Sequence, residues 1–289
     1  MTFAQKLKEL RTRAGMSQER LAEKVGVSRQ AITKWETDKG APEMENLMAL
    51  SDLFGVSVDE LLGREIRRPA DGFLHESVTE YDVADPKRYD VKLGGARRLT
   101  VRGYEGEKLR IRLLSDTLAT LEADCKVRID DNRGRLDVEL TRQNGLTEAA
   151  AREGLTIEME LPSKYIYHVE LAANVNELMI GALKAEDLEF DGKIQNVVVD
   201  GFEGELEINS NQDMKVDVRA LMGSLALNQV AAVSRLIVPA DFAFAARRRG
   251  IGNSLYFEEA GQRTEDFSDP DAQNAIELNG MKSELFICR

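Results

Sequence analysis

Four polar side chains that lie close together in the sequence, Arg29, Gln30, Thr33 and Lys34, are of the types that read DNA base edges and grip phosphates. Arginine suits guanine, glutamine suits adenine, and lysine suits either guanine or a phosphate. At this spacing the four side chains share one face of a helix. A helix with such a face is shaped to lie in the major groove of DNA.

The opposite face of that helix is apolar, and it begins with a capping residue, Ser28. Its inward stripe consists of Ala31, Ile32 and Trp35. A second short helix precedes it, with Ser17 as its N-cap and Gly26 as the left-handed residue that ends it. Residues 17–36 therefore predict two short helices joined by a tight turn.

Three further helices complete a compact unit that we predict over residues 1–63. The first spans about 3–14, the fourth about 44–54 and the fifth about 57–62. The fifth opens with a capping box formed by Ser57 and Glu60. The predicted unit is a five-helix domain with one hydrophobic core.

The pattern that carries a family resemblance consists of Ser17-Gln18, Leu21-Ala22, Val25-Gly26-Val27-Ser28, Ile32, Trp35-Glu36, Pro42, Leu47, Leu50 and the run 55–62. This pattern closely resembles the Cro and phage-repressor class of helix-turn-helix proteins, also called the XRE family. The resemblance covers about residues 3–63, under a quarter of the chain. Its motifs are specific because helix caps, turn glycine and core positions agree together.

The resemblance implies a transcription regulator that binds duplex DNA in a sequence-specific manner, most simply as a repressor. It places Arg29, Gln30 and Lys34 at the family's base-reading positions, with Thr33 near a base or the backbone. In that family the residue at Gln18 clamps a phosphate and supports the reading helix. With the residues expected to hold the DNA backbone, the predicted set is Gln18, Ser28, Arg29, Gln30, Thr33, Lys34, Thr37 and Lys39.

The charge of the chain is unevenly placed, which matters because a net charge of −12 looks wrong for a DNA-binding protein. Residues 1–40 hold nine basic and five acidic side chains, and residues 69–289 hold 27 basic and 40 acidic side chains. A basic head on an acidic body fits one surface that meets phosphate while the rest is repelled. The sequence contains no apolar run of roughly 18 residues or more, the length that crosses a bilayer, so no membrane span is expected.

Residues 64–90 lack a sustained period and are predicted to be a linker, with one packed segment around Phe73-Leu74. From about Val91 the sequence changes to short alternating apolar runs typical of strands with one buried face. Residues 91–289 are therefore predicted to be an all-β domain, and the whole chain an α + β multidomain protein. Runs at 109–114, 125–130 and 136–141 predict an antiparallel meander.

Strand-like runs between Tyr167 and Pro239 recur every 9–11 residues, separated by glycines and asparagines. Such a repeat predicts a β-solenoid in which each coil buries the apolar side of its neighbours. Two runs per coil would give a flattened stack and three a triangular one; a plain antiparallel sandwich is the competing interpretation. Terminal runs at 275–278 and 285–288 are expected to cap the stack. This half resembles, more weakly, the bacterial putative-adhesin strand-repeat domain of unknown function, which implies a fold and no activity.

No residue pattern in the chain predicts catalysis, a cofactor or a metal site. The two histidines, His75 and His168, are about ninety residues apart without a ligand-like neighbourhood, and no nucleotide-binding or hydrolase motif occurs. Cys125 and Cys288 are predicted to be free thiols in a reducing, cytoplasmic setting. The basic cluster Arg247-Arg248-Arg249 is interpreted as a solvated loop, with binding of an anion or of a neighbouring chain's acidic body as the alternative.

These features together predict a cytoplasmic DNA-binding regulator that acts as a homodimer on an inverted-repeat operator. The β domain is expected to supply assembly, a site for a small-molecule or protein effector, or a partner surface, and the sequence leaves these three open. Two hypotheses of other classes remain. One is an assembly scaffold whose helical head binds a protein; the other is a β-helix enzyme acting on sugar or lipid, which would need a carboxylate cluster that the spacing does not single out.

Overall fold

The computed structural model describes residues 3–14, 16–37, 39–54 and 72–289. The chain divides into two compact units, Met1–Gly72 and Phe73–Arg289, called here the helical unit and the β unit. No helix in the described ranges has the length and apolar character needed to cross a bilayer.

The helical unit contains four described helices: α1 Phe3–Arg13, α2 Gln18–Val25, α3 Arg29–Glu36 and α4 Met44–Phe54. Each contributes apolar residues at helical spacing to one small core, as the sequence predicts. The buried members of this core are Leu7, Leu10, Leu21, Ala22, Ile32, Trp35 and Leu50. The predicted fifth helix, 57–62, lies outside the described residues.

The β unit contains fifteen strands and two short α-helices. The first strands are β1 His75–Asp82, β2 Lys87–Tyr104, β3 Lys108–Ser115, β4 Cys125–Asn132, β5 Arg135–Arg142 and β6 Thr156–Pro162. The long central strands are β7 Ile166–Lys193, β8 Asn196–Asn209 and β9 Lys215–Val230. The last are β10 Val233–Ile237, β11 Phe244–Arg248, β12 Ser254–Glu259, β13 Gln262–Thr264, β14 Asn274–Met281 and β15 Glu284–Cys288. Helices α5 Leu121–Asp124 and α6 Glu148–Gly154 lie between strands.

The central strands are stacked in parallel and in register. Glu177 of β7 lies opposite Asn196 of β8, which lies opposite Lys215 of β9, so the step along the chain is the same from one strand to the next. Alternate residues are buried along each strand, so the inward side chains form one continuous core. This parallel register differs from the antiparallel sandwich that the sequence left open.

Glycines make the close approach between neighbouring strands feasible at the irregularities of the ladder. Gly204 has a φ of 138°, and a Cβ there would lie 2.0 Å from the carbonyl oxygen of Ala185. Gly223, one strand further, would meet the carbonyl oxygen of Gly204 at 2.1 Å. Only glycine fits such positions without moving the backbone.

The start of the β unit differs from the prediction, because strands occupy much of residues 75–90 in the predicted linker. Strand β1 pairs antiparallel with β3, which in turn pairs with β6. Three outward residues of β1, Glu76, Glu80 and Asp82, are acidic and form ion pairs with β3. Glu76 binds Arg112, for example, with Oε1–Nε at 2.7 Å. An edge strand fixed by charges lacks the apolar alternation that the prediction relied on.

The predicted meander and the predicted terminal caps are each wrong in one respect. Strands β4 and β5 form the expected antiparallel hairpin, but β3 pairs with β1 and β6 instead of β4. The runs at 275–278 and 285–288 do not cap the stack: β14 pairs with both β9 and β11, and β15 with both β10 and β12. The chain doubles back and inserts its last two strands inside the sheet, an order that local pattern does not encode.

Candidate nucleic-acid interface

Helices α2 and α3 are each bounded by the caps that the sequence predicts. The Ser17 hydroxyl accepts a hydrogen bond from the backbone N–H of Arg20 at 3.1 Å, and the Ser28 hydroxyl accepts one from Ala31 at 3.2 Å. Gly26 ends α2 with a φ of 78°, and its N–H donates to the Ala22 carbonyl. The caps satisfy backbone groups that would otherwise lack partners and fix the ends of both short helices.

The inward face of α3 anchors the helix. Ile32 is fully buried and Trp35 nearly so, and both belong to the core that Leu21 of α2 and Leu50 of α4 share. Burial of each side chain of this size stabilises the folded state by about 1.5–3 kcal/mol relative to leaving it exposed. The packing leaves α3 no freedom to rotate about its axis without exposing this stripe.

The outward face of α3 carries the predicted base readers. Arg29, Gln30, Thr33 and Lys34 are all exposed. In the described part of the chain, the side chains of Arg29, Gln30 and Lys34 form no hydrogen bond or ion pair. Their donors and acceptors are therefore available to a ligand that approaches this face.

Gln18 links the start of α2 to the outer side of α3. Its amide nitrogen donates to Glu36 Oε2 at 2.8 Å, and its amide oxygen accepts a hydrogen bond from the Thr33 hydroxyl at 3.1 Å. The Thr33 hydroxyl also lies 3.0 Å from the Arg29 carbonyl. Gln18 therefore connects the start of α2 to two residues of α3.

An ion pair that the sequence analysis missed completes this support. Arg11 of α1 donates to Glu36 from Nε at 2.5 Å and from an Nη nitrogen at 3.0 Å, and its other Nη donates to the Met16 carbonyl. The Glu36 side chain is 2% exposed. Because the two residues are far apart in the sequence, spacing gives no signal for the pair; the hint is a carboxylate directly after Trp35 at the core side of α3.

Burial raises the pKa of the Glu36 carboxyl, but the hydrogen bonds from Arg11 and Gln18 and the charges of Arg11 and Lys8 outweigh it. The net pKa lies below its ordinary value, so Glu36 is an anion at neutral pH. A charged acceptor makes shorter and stronger hydrogen bonds than a neutral one. Three helices are thereby tied together at the base of the outward face.

The remaining predicted residues have more varied positions. The Ser28 hydroxyl is engaged in the helix cap, and the Thr37 hydroxyl donates to the Thr33 carbonyl at 2.7 Å. Lys39 is exposed in the segment after α3. Ser28 is exposed as a residue at the start of α3.

Metal-binding chemistry is absent from the described ranges, where no group of three histidine, cysteine or acidic side chains could hold an ion. His168 is instead bridged by two carboxylates, Glu170 at 2.9 Å and Asp187. Cys125 and Cys288 are free thiols, and burial raises the pKa of both. All three residues, His168, Cys125 and Cys288, lie in the β unit.

Known proteins with similar sequences match the helical unit of this chain. The helix-turn-helix family model HTH_3 matches residues 7–61. A transcriptional activator from Enterococcus faecalis, BcrR, is 52% identical over 65 residues, covering 22% of this chain and 32% of that protein. A prophage-derived regulator from Bacillus subtilis, YonR, is 38% identical over 78 residues, covering 27% of this chain and 72% of that protein. The phage repressor RstR from Vibrio cholerae is 34% identical over 64 residues, or 22% and 57%.

Solved structures that are similar to the chain match a different part, the β unit. A putative cell adhesion protein from Clostridium sporogenes has a TM-score of 0.36 and 12% identity, covering 74% of this chain and 98% of that one. A putative adhesin from Bacteroides fragilis has a TM-score of 0.33 and 12% identity, covering 74% and 96%.

The chain spans about a third of the length of the activator BcrR but more than two thirds of YonR, and both relatives are named as helix-turn-helix regulators. The family expected from the sequence is confirmed by these matches and by the two capped helices of the structure. This chain belongs to the helix-turn-helix family of transcriptional regulators.

Proposed function

We propose that this protein is a non-enzymatic transcription regulator that binds duplex DNA in a sequence-specific manner through α3. The observation that carries the proposal is the state of the outward face: its base-reading side chains lack partners in the described part of the chain, while the apolar back of α3 is buried. A rigid helix with free donors on one side can place them in the major groove at little entropic cost.

The side chains fall into two groups, those that contact bases and those that contact the DNA backbone. Arg29 favours guanine, Gln30 favours adenine, and Lys34 binds guanine or a phosphate. Ser28, Thr37 and Lys39 hold the backbone at the two ends of the helix, and Thr33 lies beside them. The Gln18 amide already donates one N–H to Glu36 and accepts a hydrogen bond from Thr33. Its second N–H is the donor that remains for a phosphate.

Charge supports the same surface. The basic excess of residues 1–40 attracts phosphate, and the acidic excess of residues 69–289 keeps DNA away from the rest of the chain. Relatives named as an activator and as a phage repressor share this head, in agreement with a regulator of transcription.

We further propose that the protein acts as a homodimer on an inverted repeat, with the β unit as a two-sided β-solenoid. One coil of that solenoid leads from Glu177 to Asn196, and the next from Asn196 to Lys215. The parallel, in-register ladder with its constant step supports this form of the β unit. One small helical head makes few base contacts, so two heads on a two-fold site raise both affinity and specificity.

Selection of bound sites from random duplexes by the full chain tests the proposal. We expect an enriched inverted repeat with guanine and adenine preferences in each half-site, spaced about one helical turn apart. If the bound duplexes show no enrichment over the starting pool at either low or moderate salt, sequence-specific binding is refuted. Recovery of a single half-site would keep the reading helix and refute the dimer.

A further inference from the structure

One outward face of the β unit carries opposite charges at its two ends. Five neighbouring strands form it, in the order β7, β8, β9, β14 and β11. Their outward residues surround an open trough of about 850 Å³, and we call this surface the trough face. At about 4.8 Å between strands it is roughly 19 Å wide.

The β7–β8 end of the trough face is acidic. Glu189, Glu205 and Glu207 line the trough there, and Asp191 is the next outward residue of β7. Asp187 also lines this end but is paired with His168. We refer to the carboxylates of Glu189, Asp191, Glu205 and Glu207 as the acidic end. None of them forms an ion pair with a cation of the described residues; Glu189 and Glu207 instead accept hydrogen bonds from the neutral amides of Asn209 and Asn228. Four carboxylates are thus held side by side without a counter-charge.

The environment of Glu189 disfavours its charged form. Burial, Asp191 and Glu207 together raise the pKa of Glu189. Like charges on adjacent strands destabilise a sheet unless an opposite charge lies near them. The acidic end is therefore better suited to a surface that meets a cation than to one left bare.

The β11 end of the trough face is basic. Arg247 and Arg249 share one carboxylate, Glu277, at 3.2 and 3.5 Å. Glu277 is 12% exposed, whereas the two arginine side chains are 53% and 69% exposed. Two cations on one anion leave a surplus positive charge that projects into solvent.

The middle of the trough face is neutral and lined by small side chains. Ser224 and Ala226 of β9 lie between the two ends, with Ala275 of β14 beside them. No charge on β9 separates the acidic end from the basic end within the trough. Across its strands the face is therefore acidic, then small and neutral, then basic.

We infer that the trough face binds the same face of a second copy of this chain. A two-fold axis that runs along β9 reverses the strand order and places β11 of one copy over β7 of the other. Arg247 then faces Glu189 of the second copy, and Arg249 faces Asp191, twice over. A surface that is complementary to itself under a two-fold rotation is what an isologous dimer requires.

A second copy satisfies both ends at once, whereas a small cation would neutralise the acidic end alone. A face roughly 19 Å wide with charged contacts is typical of a weak interface. Salt should weaken it because exposed charge pairs are screened within about 10 Å at 0.1 M ionic strength. The inference rests on the proposed function for its biological purpose, since a dimer would present two heads to DNA, but its test needs no DNA.

Sedimentation velocity of the full chain at about 0.1 M salt is the first test. We expect a dimer of twice 32.3 kDa that dissociates on dilution and at high salt. Reversing the acidic end (Glu189→Arg with Asp191→Arg) or the basic end (Arg247→Glu with Arg249→Glu) should raise the dissociation constant about tenfold or more. Arg219→Glu is the matched control: Arg219 is also exposed and pairs with Asp200 and Asp217 away from the trough, and its reversal should leave the dimer intact.

Mixing the two reversed variants distinguishes a specific interface from misfolding. Each variant alone repels itself, but together they form a heterodimer in which both charge contacts are complementary. We expect the mixture to regain the dimer mass while circular dichroism shows the strands of both variants intact. If the basic-end variant fails to fold, the acidic-end variant and the salt dependence of the wild-type dimer still decide the outcome.

A wild-type chain that is monomeric at micromolar concentration overturns the inference, whether or not its acidic end takes up a cation. A dimer that neither reversal affects, or that Arg219→Glu disrupts equally, also overturns it. If the dimer fails this test but the chain still selects a preferred DNA sequence, sequence-specific binding by α3 stands and this interface does not. If the dimer passes and no DNA sequence is selected, the proposed function fails and the interface stands.

Discussion

The outward face of α3 and the outward faces of the β unit treat charge in opposite ways. On α3, the cations Arg29 and Lys34 have no partner in the described part of the chain. In the β unit, Arg98 binds Glu177 at 2.6 Å, and Arg112 binds Glu158 at 2.6 Å, each across neighbouring strands. Charges that are paired within the fold do little for a ligand, so unpaired charge on a rigid support is the stronger mark of recognition.

The trough face departs from this pattern. Its acidic end lacks cations among the described residues, and its basic end has more cations than anions. Both regions with unpaired charge, α3 and the trough face, rest on well-packed apolar residues such as Ile32 and Leu206. The outward face of α3 and the trough face thus both carry charge without an internal partner, and the two surfaces differ in the partner they suit.

The largest expected effect concerns the backbone ladder of the β unit. Gly204→Ala should lower the free energy of unfolding by about 4 kcal/mol or more, because its Cβ would overlap the Ala185 carbonyl at a φ that side chains disfavour. Gly181→Ala is the matched control, since the nearest atom to its Cβ, the Asp200 carbonyl oxygen, lies at 3.5 Å. Circular dichroism during thermal unfolding measures both; equal stability of the two variants would show that the close approach at Gly204 is not required.

The next effect concerns the ion pair under α3. Glu36→Ala should destabilise the helical unit by about 2–3 kcal/mol, because it leaves Arg11 without its buried partner and frees Gln18. Trp35 is the single tryptophan of the chain and belongs to this core, so its fluorescence in urea reports the helical unit. Glu23→Ala removes an exposed carboxylate from α2 and should change stability by less than about 0.5 kcal/mol. A Glu36 variant as stable as that control would contradict the role of the pair.

The same carboxylate makes the helical unit sensitive to acid. The pKa of Glu36 lies below its ordinary value of 4.5 in the folded state, so its stabilisation is present above that value and is lost as pH falls through the folded pKa. The urea concentration at the midpoint of unfolding, measured by Trp35 fluorescence, should decrease once the pH is lowered beneath about 4.5. Glu36→Gln should show a lower midpoint at pH 7 and a smaller drop on acidification; parallel curves for the two proteins would contradict the assignment.

The smallest effect concerns Lys39, which we propose contacts a phosphate of the DNA backbone. Lys39→Ala should weaken binding to all duplexes alike and lower the slope of log affinity against log salt by about one, since one phosphate contact is lost. Lys24→Ala, an exposed lysine on α2, is the control that should leave the slope unchanged. If the Lys39 variant instead lost preference for one base, Lys39 would have to contact that base and not a phosphate.

Sequence patterns predicted what local physics determines. The caps at Ser17 and Ser28, the end of α2 at Gly26 and the inward stripe with Ile32 are all as expected, because each depends on a few adjacent residues. The recurrence of strand-like runs in the sequence likewise corresponds to the regular step between the paired strands β7, β8 and β9.

Contacts between distant residues escaped the prediction. Arg11 and Glu36 meet only because two helices cross, and β14 and β15 lie inside the sheet because the chain doubles back. Strand β1 was missed since its alternation is polar and ion pairs hold it. The charge pattern of the trough face was likewise hidden, because Arg247 and Glu189 come onto one surface only when the strands are ordered in space.

The most direct test of the central claim, that the outward side chains of α3 read bases, is to repeat the selection from random duplexes with Gln30→Ala and with Lys34→Ala. Each variant should lose preference at one base pair of each half-site and bind the wild-type sequence more weakly by about 1–3 kcal/mol. The other positions of the site should keep their preferences. Wild-type base preference and affinity in both variants would contradict the account.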